Sequence, residues 1–115
     1  MKKRFEANGG VIASSPDIDK HLDAMGAYAS ALNADIILIR QSVLPAACTM
    51  FEEYIHTAQY KKYDMSTQSH TDREIEAKQK ILKYYKQYDI TELECKYVQV
   101  QLNELLRETE VSNCV

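Results

Sequence analysis

The sequence predicts an all-α protein, a four-helix bundle-like domain, and three observations support this prediction. The composition is that of a globular domain, with 45% hydrophobic and 27% charged residues but only three Gly and two Pro among 115 residues. Apolar residues recur at helical spacing along most of the chain. Helix-start signals occur at Ser15, Thr71 and Thr91. A chain of this length forms one domain, which we expect to cover residues 15–115 behind a flexible N-terminal arm of residues 1–14.

The first predicted helix covers residues 16–43 and carries the strongest regularity in the sequence. It begins with a hydroxyl cap at Ser15, a proline in the first turn at Pro16, and an acid at the positive end of the helix dipole. Its apolar residues follow the alternating spacing of a coiled-coil heptad, and they are Ile18, Leu22, Met25, Ala29, Leu32, Ile36, Ile39 and Val43. A second stripe consists mainly of small side chains and indicates close approach of another helix; its members are Ala24, Ala27, Ala31, Ala34 and Leu38. This long helix is therefore predicted to lie at the centre of the bundle.

Residues 35–39 within that helix also fit a β-strand. The segment Asp35-Ile36-Ile37-Leu38-Ile39 is rich in β-branched side chains, which favour strands. Because the heptad continues on both sides of the segment, the sequence favours a helix over a strand here.

Three further helices are predicted at residues 45–62, 72–88 and 92–110. The polar stretch 63–70 has no periodicity and is predicted to be a loop. The last helix carries apolar residues around an arc of roughly 240°, too wide for a helix on a surface. We therefore expect several neighbours or a second subunit to cover it.

Two capping boxes set the start of the third and fourth helices. Thr71 precedes Glu74 by three residues, and Thr91 precedes Glu94 by the same spacing. The second box favours a tight turn near residues 88–90 over one continuous helix. The third and fourth helices then form a helical hairpin.

The sequence lacks the common motifs of catalysis and of cofactor binding. It contains no Gly-rich phosphate loop and no nucleophile motif, so we expect no enzyme activity, no cofactor and no metal. Glu53 and His56 do have the Glu-x-x-His spacing of di-iron helix bundles, but the sequence contains no second copy. Together with Glu52 they are more simply interpreted as a solvated face opposite Phe51 and Tyr54.

The third helix offers a candidate partner-binding surface where basic and aromatic residues alternate. Its candidate residues are Lys78, Lys80, Lys83, Tyr84 and Lys86. The leading hypothesis is a non-enzymatic protein–protein interaction module, such as a small adaptor, chaperone or inhibitor, with a homodimer as one possible form. The alternative is a nucleic-acid-associated regulator that uses these lysines. The net charge of −3 argues against wholesale attraction to nucleic acid.

The cysteines and the N-terminus point to a cytoplasmic protein. Cys48, Cys95 and Cys114 are scattered and follow no metal or disulfide pattern, which fits a reducing compartment. The basic start of the chain is not followed by the apolar stretch of a signal peptide. No apolar run approaches the ~18 residues of a membrane span, so we expect no membrane contact.

Overall fold

The computed structural model describes residues 2–42, 46–62 and 69–113, and it contains a three-stranded sheet beside its helices. The predicted all-α four-helix bundle is therefore wrong, although most described residues are helical. The elements are α1 (Lys2–Ala7), β1 (Val11–Ala13), α2 (Pro16–Met25), β2 (Ala29–Ala31), β3 (Ile36–Ile39), α3 (Ala47–Lys62), α4 (His70–Tyr84), a 3₁₀ turn (Tyr85–Tyr88) and α5 (Glu92–Asn113). Among the described residues, no helix is both long enough and apolar enough to cross a membrane.

β3 is the central strand of a mixed sheet with the order β1-β3-β2. It pairs in parallel with β1, where Ile12 lies opposite Ile37, and antiparallel with β2, where Ala31 lies opposite Ile37. Ile37 is fully buried and its neighbour Leu38 is nearly so, although adjacent side chains of a strand point to opposite faces. A strand that is buried on both faces consists of consecutive apolar residues. Such a run also places apolar residues at the heptad positions, so this segment matches the heptad although it is a strand.

The predicted helix 16–43 ends at Met25 because Gly26 terminates it. Gly26 adopts the left-handed conformation with φ 67°, and its N–H donates to the carbonyl oxygen of Asp23. The predicted start is confirmed, since the Ser15 hydroxyl accepts from the Ile18 N–H at 3.1 Å. Only the first three apolar positions of the heptad lie in α2, so the coiled-coil prediction is wrong. The alanine stripe is divided in the same way and does not form one helix face.

Residues 2–13, which were expected to belong to a flexible arm, form α1 and β1. The Phe5 ring is buried, and its centroid lies 5.4 Å from that of Tyr54 on α3. A Cβ atom at Gly10 would lie only 2.6 Å from the Phe5 ring, so glycine permits the chain to pass the ring and enter β1. Burial of one aromatic side chain thus attaches the N-terminal segment to the domain.

The predictions for the remaining helices agree better with the structure. The helix predicted at 45–62 is confirmed from Ala47 to Lys62, and its predicted start at Pro45 lies outside the described residues. α4 begins earlier than predicted, because the Ser69 hydroxyl, rather than that of Thr71, caps it by accepting from the Asp72 N–H at 3.1 Å. Most of the predicted loop 63–70 also lies outside the described residues.

The predicted break between the third and fourth helices is confirmed. Asp89 closes α4 and its 3₁₀ extension in the left-handed conformation, with φ 56°. The capping box is reciprocal: the Glu94 N–H donates to Thr91 Oγ1 at 3.1 Å, and the Thr91 N–H donates to Glu94 Oε2 at 2.9 Å. α4 and α5 then pack against each other as a hairpin.

α3 is the central element of the fold, in place of the predicted first helix. One side of α3 packs on α4 and α5 through a cluster of Phe51, Ile55, Ala77, Ile81, Ile90 and Val98. Its other side packs on α1 and the sheet, where Tyr54 forms a buried cluster with Phe5 and Ile37. α3 therefore joins a helical half of the domain to a half that contains the sheet.

Candidate functional site

The five candidate partner-binding residues do not share one environment in the structure. The side chain of Lys78 is buried, and its Nζ lies 2.7 Å from Glu52 Oε1 on α3. Lys83 and Lys86 are exposed, and Lys83 Nζ lies 5.3 Å from the centroid of the half-buried Tyr84 ring. Lys80 Nζ lies 3.8 Å from Glu76 Oε1 on the same helix. The structure thus separates Lys78 from the other four residues and directs it toward α3.

Lys78 pairs with Glu52 and Glu74, which line a polar cleft between α3, α4 and β2. The cleft has a volume of about 430 Å³, and its lining includes Glu52, Glu53, His56 and Glu74. The first three residues were predicted to form a solvated face, and this prediction is wrong: the His56 side chain is only 15% exposed and that of Glu52 only 21%. The physical reason is that β2 and α4 both pack against this side of α3.

β2 contributes a backbone donor to the cleft. The N–H of Ala31 donates to Glu53 Oε2, so the carboxyl group of Glu53 is attached to the strand. Glu52 and His56 instead turn toward α4 and lie one helical turn apart on α3. Glu53 and His56, the two residues of the Glu-x-x-His spacing, therefore both line the cleft. However, Glu52 rather than Glu53 is the glutamate that lies with His56 close to Glu74 and Lys78.

Gln59 orients the imidazole ring of His56. The Gln59 side chain is 2% exposed, and its Nε2 donates to the carbonyl oxygen of Arg73 and to Glu76 Oε1, each at 3.0 Å. Its Oε1 is therefore the atom 2.8 Å from His56 Nδ1, and a carbonyl oxygen can only accept. Nδ1 thus carries a proton, which leaves Nε2 to face Glu74 Oε1 at 3.4 Å and Glu52 Oε1 at 3.8 Å.

The carboxyl groups of the cleft have different electrostatic environments. Burial raises the pKa of Glu52, but hydrogen bonds from His56 and Lys78 and the charge of Lys78 outweigh burial and lower this pKa to about 2. Burial raises the pKa of Glu53 to about 7 and also raises the pKa of Glu74. Burial lowers the pKa of His56, whereas hydrogen bonds to Glu52 and Gln59 and the charges of Glu74 and Glu53 raise it to about 9. At neutral pH Glu52 is therefore ionised and His56 is protonated, whereas Glu53 titrates close to neutral pH.

A second feature lies on the outer face of α5. Leu93, Tyr97 and Val100 are 73%, 72% and 57% exposed, and their spacing of four and three residues places them in one stripe. We call these three residues the α5 stripe. The opposite face of the helix contains Val98 and Leu102, which are buried. The main neighbour of α5 is α4, so the wide apolar arc predicted for this helix is only partly covered.

Gln59 and Glu74 are members of the cleft that the sequence does not predict. These residues meet because α3 packs on α4, and a local sequence pattern does not show which helices pack together. A weaker signal was present, because Glu74 and Lys78 have the i,i+4 spacing of a helical ion pair. That spacing predicts the pair but not its burial against Glu52.

No family model matches this chain, and no curated protein or solved structure matches it either. The function is therefore inferred from the side chains themselves.

Proposed function

We propose that this protein is a non-enzymatic protein-interaction module that binds a helix of its partner through the α5 stripe. The observation that supports this proposal is the exposure of Leu93, Tyr97 and Val100 along one face of a helix of 22 residues. Single exposed apolar residues are common on protein surfaces, whereas an aligned set on one helix face is typical of an interface.

The spacing of the stripe indicates the type of partner surface. Side chains at positions i, i+4 and i+7 are the anchors by which amphipathic helices pack against each other. Burying a leucine or valine side chain contributes ~1.5–3 kcal/mol, and tyrosine is enriched at interfaces because it is large and amphipathic. An adaptor, chaperone or inhibitor of this kind binds a protein that presents an amphipathic helix. A second copy of α5 is one such helix, so a homodimer is one form of the same interaction.

The proposal can be tested with a photo-crosslinking amino acid placed within and outside the stripe. We expect a photo-crosslinker at Tyr97 to form a discrete adduct in cells, and the adduct should be lost when Leu93→Ser and Val100→Ser are added. The same crosslinker at Gln99, exposed on another face of α5, is the matched control. Identical adducts from both positions, or none from Tyr97, would contradict a role for the stripe.

Light scattering of the purified chain distinguishes a homodimer from a different partner. A mass of about twice 13.2 kDa that returns to the monomer value with Leu93→Ser and Val100→Ser identifies the second copy as the partner. A monomer that still forms the Tyr97 adduct in cells identifies a different protein.

The nucleic-acid alternative has less support. Of the four lysines it invokes, Lys78 is buried against Glu52 and Lys80 lies near Glu76, which leaves Lys83 and Lys86 as the more accessible cations. A steep loss of DNA or RNA binding with rising salt in gel shifts would favour this alternative. For either function we propose a reducing, cytoplasmic setting, which is compatible with the free thiols of Cys48 and Cys95.

A further inference from the structure

We propose that Glu52, His56 and Glu74 bind a divalent transition-metal ion of the zinc class. This inference is independent of the α5 stripe, so either can fail without the other. The three residues come from two helices, and one potential ligand atom of each lies within 4.8 Å of the others. Imidazole nitrogen and carboxylate oxygen are both ligand types that zinc accepts, and three protein ligands leave a fourth position open.

The distances between the donor atoms approach those of an occupied site. Ligand atoms about 2.1 Å from a tetrahedral ion lie about 3.4 Å from each other. His56 Nε2 is 3.4 Å from Glu74 Oε1 and 3.8 Å from Glu52 Oε1. A carboxylate oxygen of Glu52 and one of Glu74 also lie within 4.8 Å of each other, so all three donor separations are close to those that one ion requires.

The environment of His56 favours metal ligation by Nε2. Metal-binding histidines generally donate their other N–H to a carbonyl or carboxylate oxygen, which fixes the tautomer and the ring orientation. Gln59 Oε1 performs this role for Nδ1, and two further hydrogen bonds hold the buried Gln59 side chain in place. Gln59 is thus a positioning residue for the proposed ligand.

The charge of the cluster suits a cation once His56 has released its proton, because two carboxylates then face a single ammonium group. Lys78 lies 2.7 Å from Glu52 Oε1 and 3.7 Å from Glu74 Oε2, so its single positive charge is shared by two carboxylates. Glu74 presents its other oxygen, Oε1, to His56. A bound metal ion would take the place of the proton on His56 Nε2 and of the Lys78 ammonium at Glu52 Oε1. Lys78 would keep its contact with Glu74 Oε2. The cleft of about 430 Å³ beside the cluster leaves space for a water ligand on the metal.

The test is zinc binding to the purified full chain after treatment with a chelator. Calorimetry is expected to show one saturable equivalent of Zn²⁺ for the wild type and at least tenfold weaker binding for His56→Gln and for Glu74→Gln. Loss of the positioning residue in Gln59→Leu should weaken binding about 10–100-fold, as for other outer-shell partners. The matched control is His21→Gln, because His21 is an exposed histidine on α2 outside the cleft, and it should bind zinc like the wild type.

A spectroscopic measurement excludes the cysteines as the ligands. Substitution of Co²⁺ should give d–d absorption without the near-ultraviolet band of thiolate ligation. Circular dichroism establishes that each variant is folded, and Glu74→Gln remains informative if His56→Gln unfolds. The proposal is overturned if zinc does not saturate at one equivalent, if folded His56→Gln or Glu74→Gln binds like His21→Gln, or if Co²⁺ reports thiolate ligands.

Discussion

At the level of single residues, buried charge is concentrated where α3 faces α4. Lys78 has a side chain that is only 9% exposed, and it contacts Glu52 at 2.7 Å. Removing one partner of a buried ion pair leaves an uncompensated charge, which costs more than the pair itself contributes. These residues therefore constrain how α3 and α4 can be arranged, whether or not a metal ion joins them.

Cys48 provides a pH-dependent prediction at the same scale. Burial, followed by the charges of Glu94 and Glu52, raises the pKa of this thiol from 9.0 to about 11. Because the thiolate is the nucleophile, alkylation of Cys48 by iodoacetamide at pH 8.5 should be at least tenfold slower in the folded chain than in urea. The folded-state rate should continue to rise with pH toward 11, whereas the rate in urea should level off above about 9.

Peptide mass spectrometry gives the alkylation rate of Cys48 separately from those of the other cysteines. The unfolded chain is the control, since it carries the same thiol without burial. A folded-state rate that levels off near pH 9 would contradict the prediction.

At the level of elements, the turn between α4 and α5 depends on one backbone conformation. Asp89 has φ 56°, and its N–H donates to the carbonyl oxygen of Tyr85. The Thr91 capping box begins α5 two residues later. Left-handed conformations are accessible to Asp and Gly but are strained for β-branched residues.

Substitutions at Asp89 test whether this conformation is required. Asp89→Val should lower the free energy of unfolding by about 1–2 kcal/mol, because valine is strained at positive φ. Asp89→Gly is the matched control and should be neutral or slightly stabilising, since glycine adopts this conformation without strain. Urea unfolding monitored by circular dichroism measures both variants. Equal destabilisation by the two substitutions would show that the side chain of Asp89 matters rather than its backbone.

At the level of the whole molecule, α5 has one face in the core and one face available to a partner. Val98 is 4% exposed and belongs to the core that α3, α4 and α5 share. Val100 lies two residues away in the α5 stripe and is 57% exposed. The same residue type therefore occupies opposite environments on one helix.

This pair of valines separates folding from binding. Val98→Ala should reduce the free energy of unfolding by about 2 kcal/mol, through lost burial and the cavity that remains. Val100→Ala should change it by less than ~0.5 kcal/mol while weakening formation of the Tyr97 adduct. Urea unfolding of the monomer measures both free energies. A large loss of stability in Val100→Ala would mean that the stripe is covered within the monomer.

Local signals in the sequence determined the helical half of the molecule. The α3 helix, the break before α5 and the reciprocal capping box all follow from periodicity and from contacts between residues a few positions apart. Such contacts join residues that are close in sequence, so a short stretch of sequence contains both partners of each contact. The same holds for the start of α2 at Ser15.

Tertiary structure alone decided the sheet and the polar cleft. The heptad favours a helix at residues 36–39 although the segment also fits a strand, and pairing with residues 11–13, about 25 positions earlier, selects the strand. That pairing also incorporates the N-terminal segment into the fold, and the second pairing brings the Ala31 N–H to Glu53. Glu52, His56, Glu74 and Lys78 meet because two helices pack side by side. The physical reason is the same in both cases. The sheet and the cleft are stabilised by burial and hydrogen bonds between segments that are distant in sequence, and a local pattern contains no information about which segments meet.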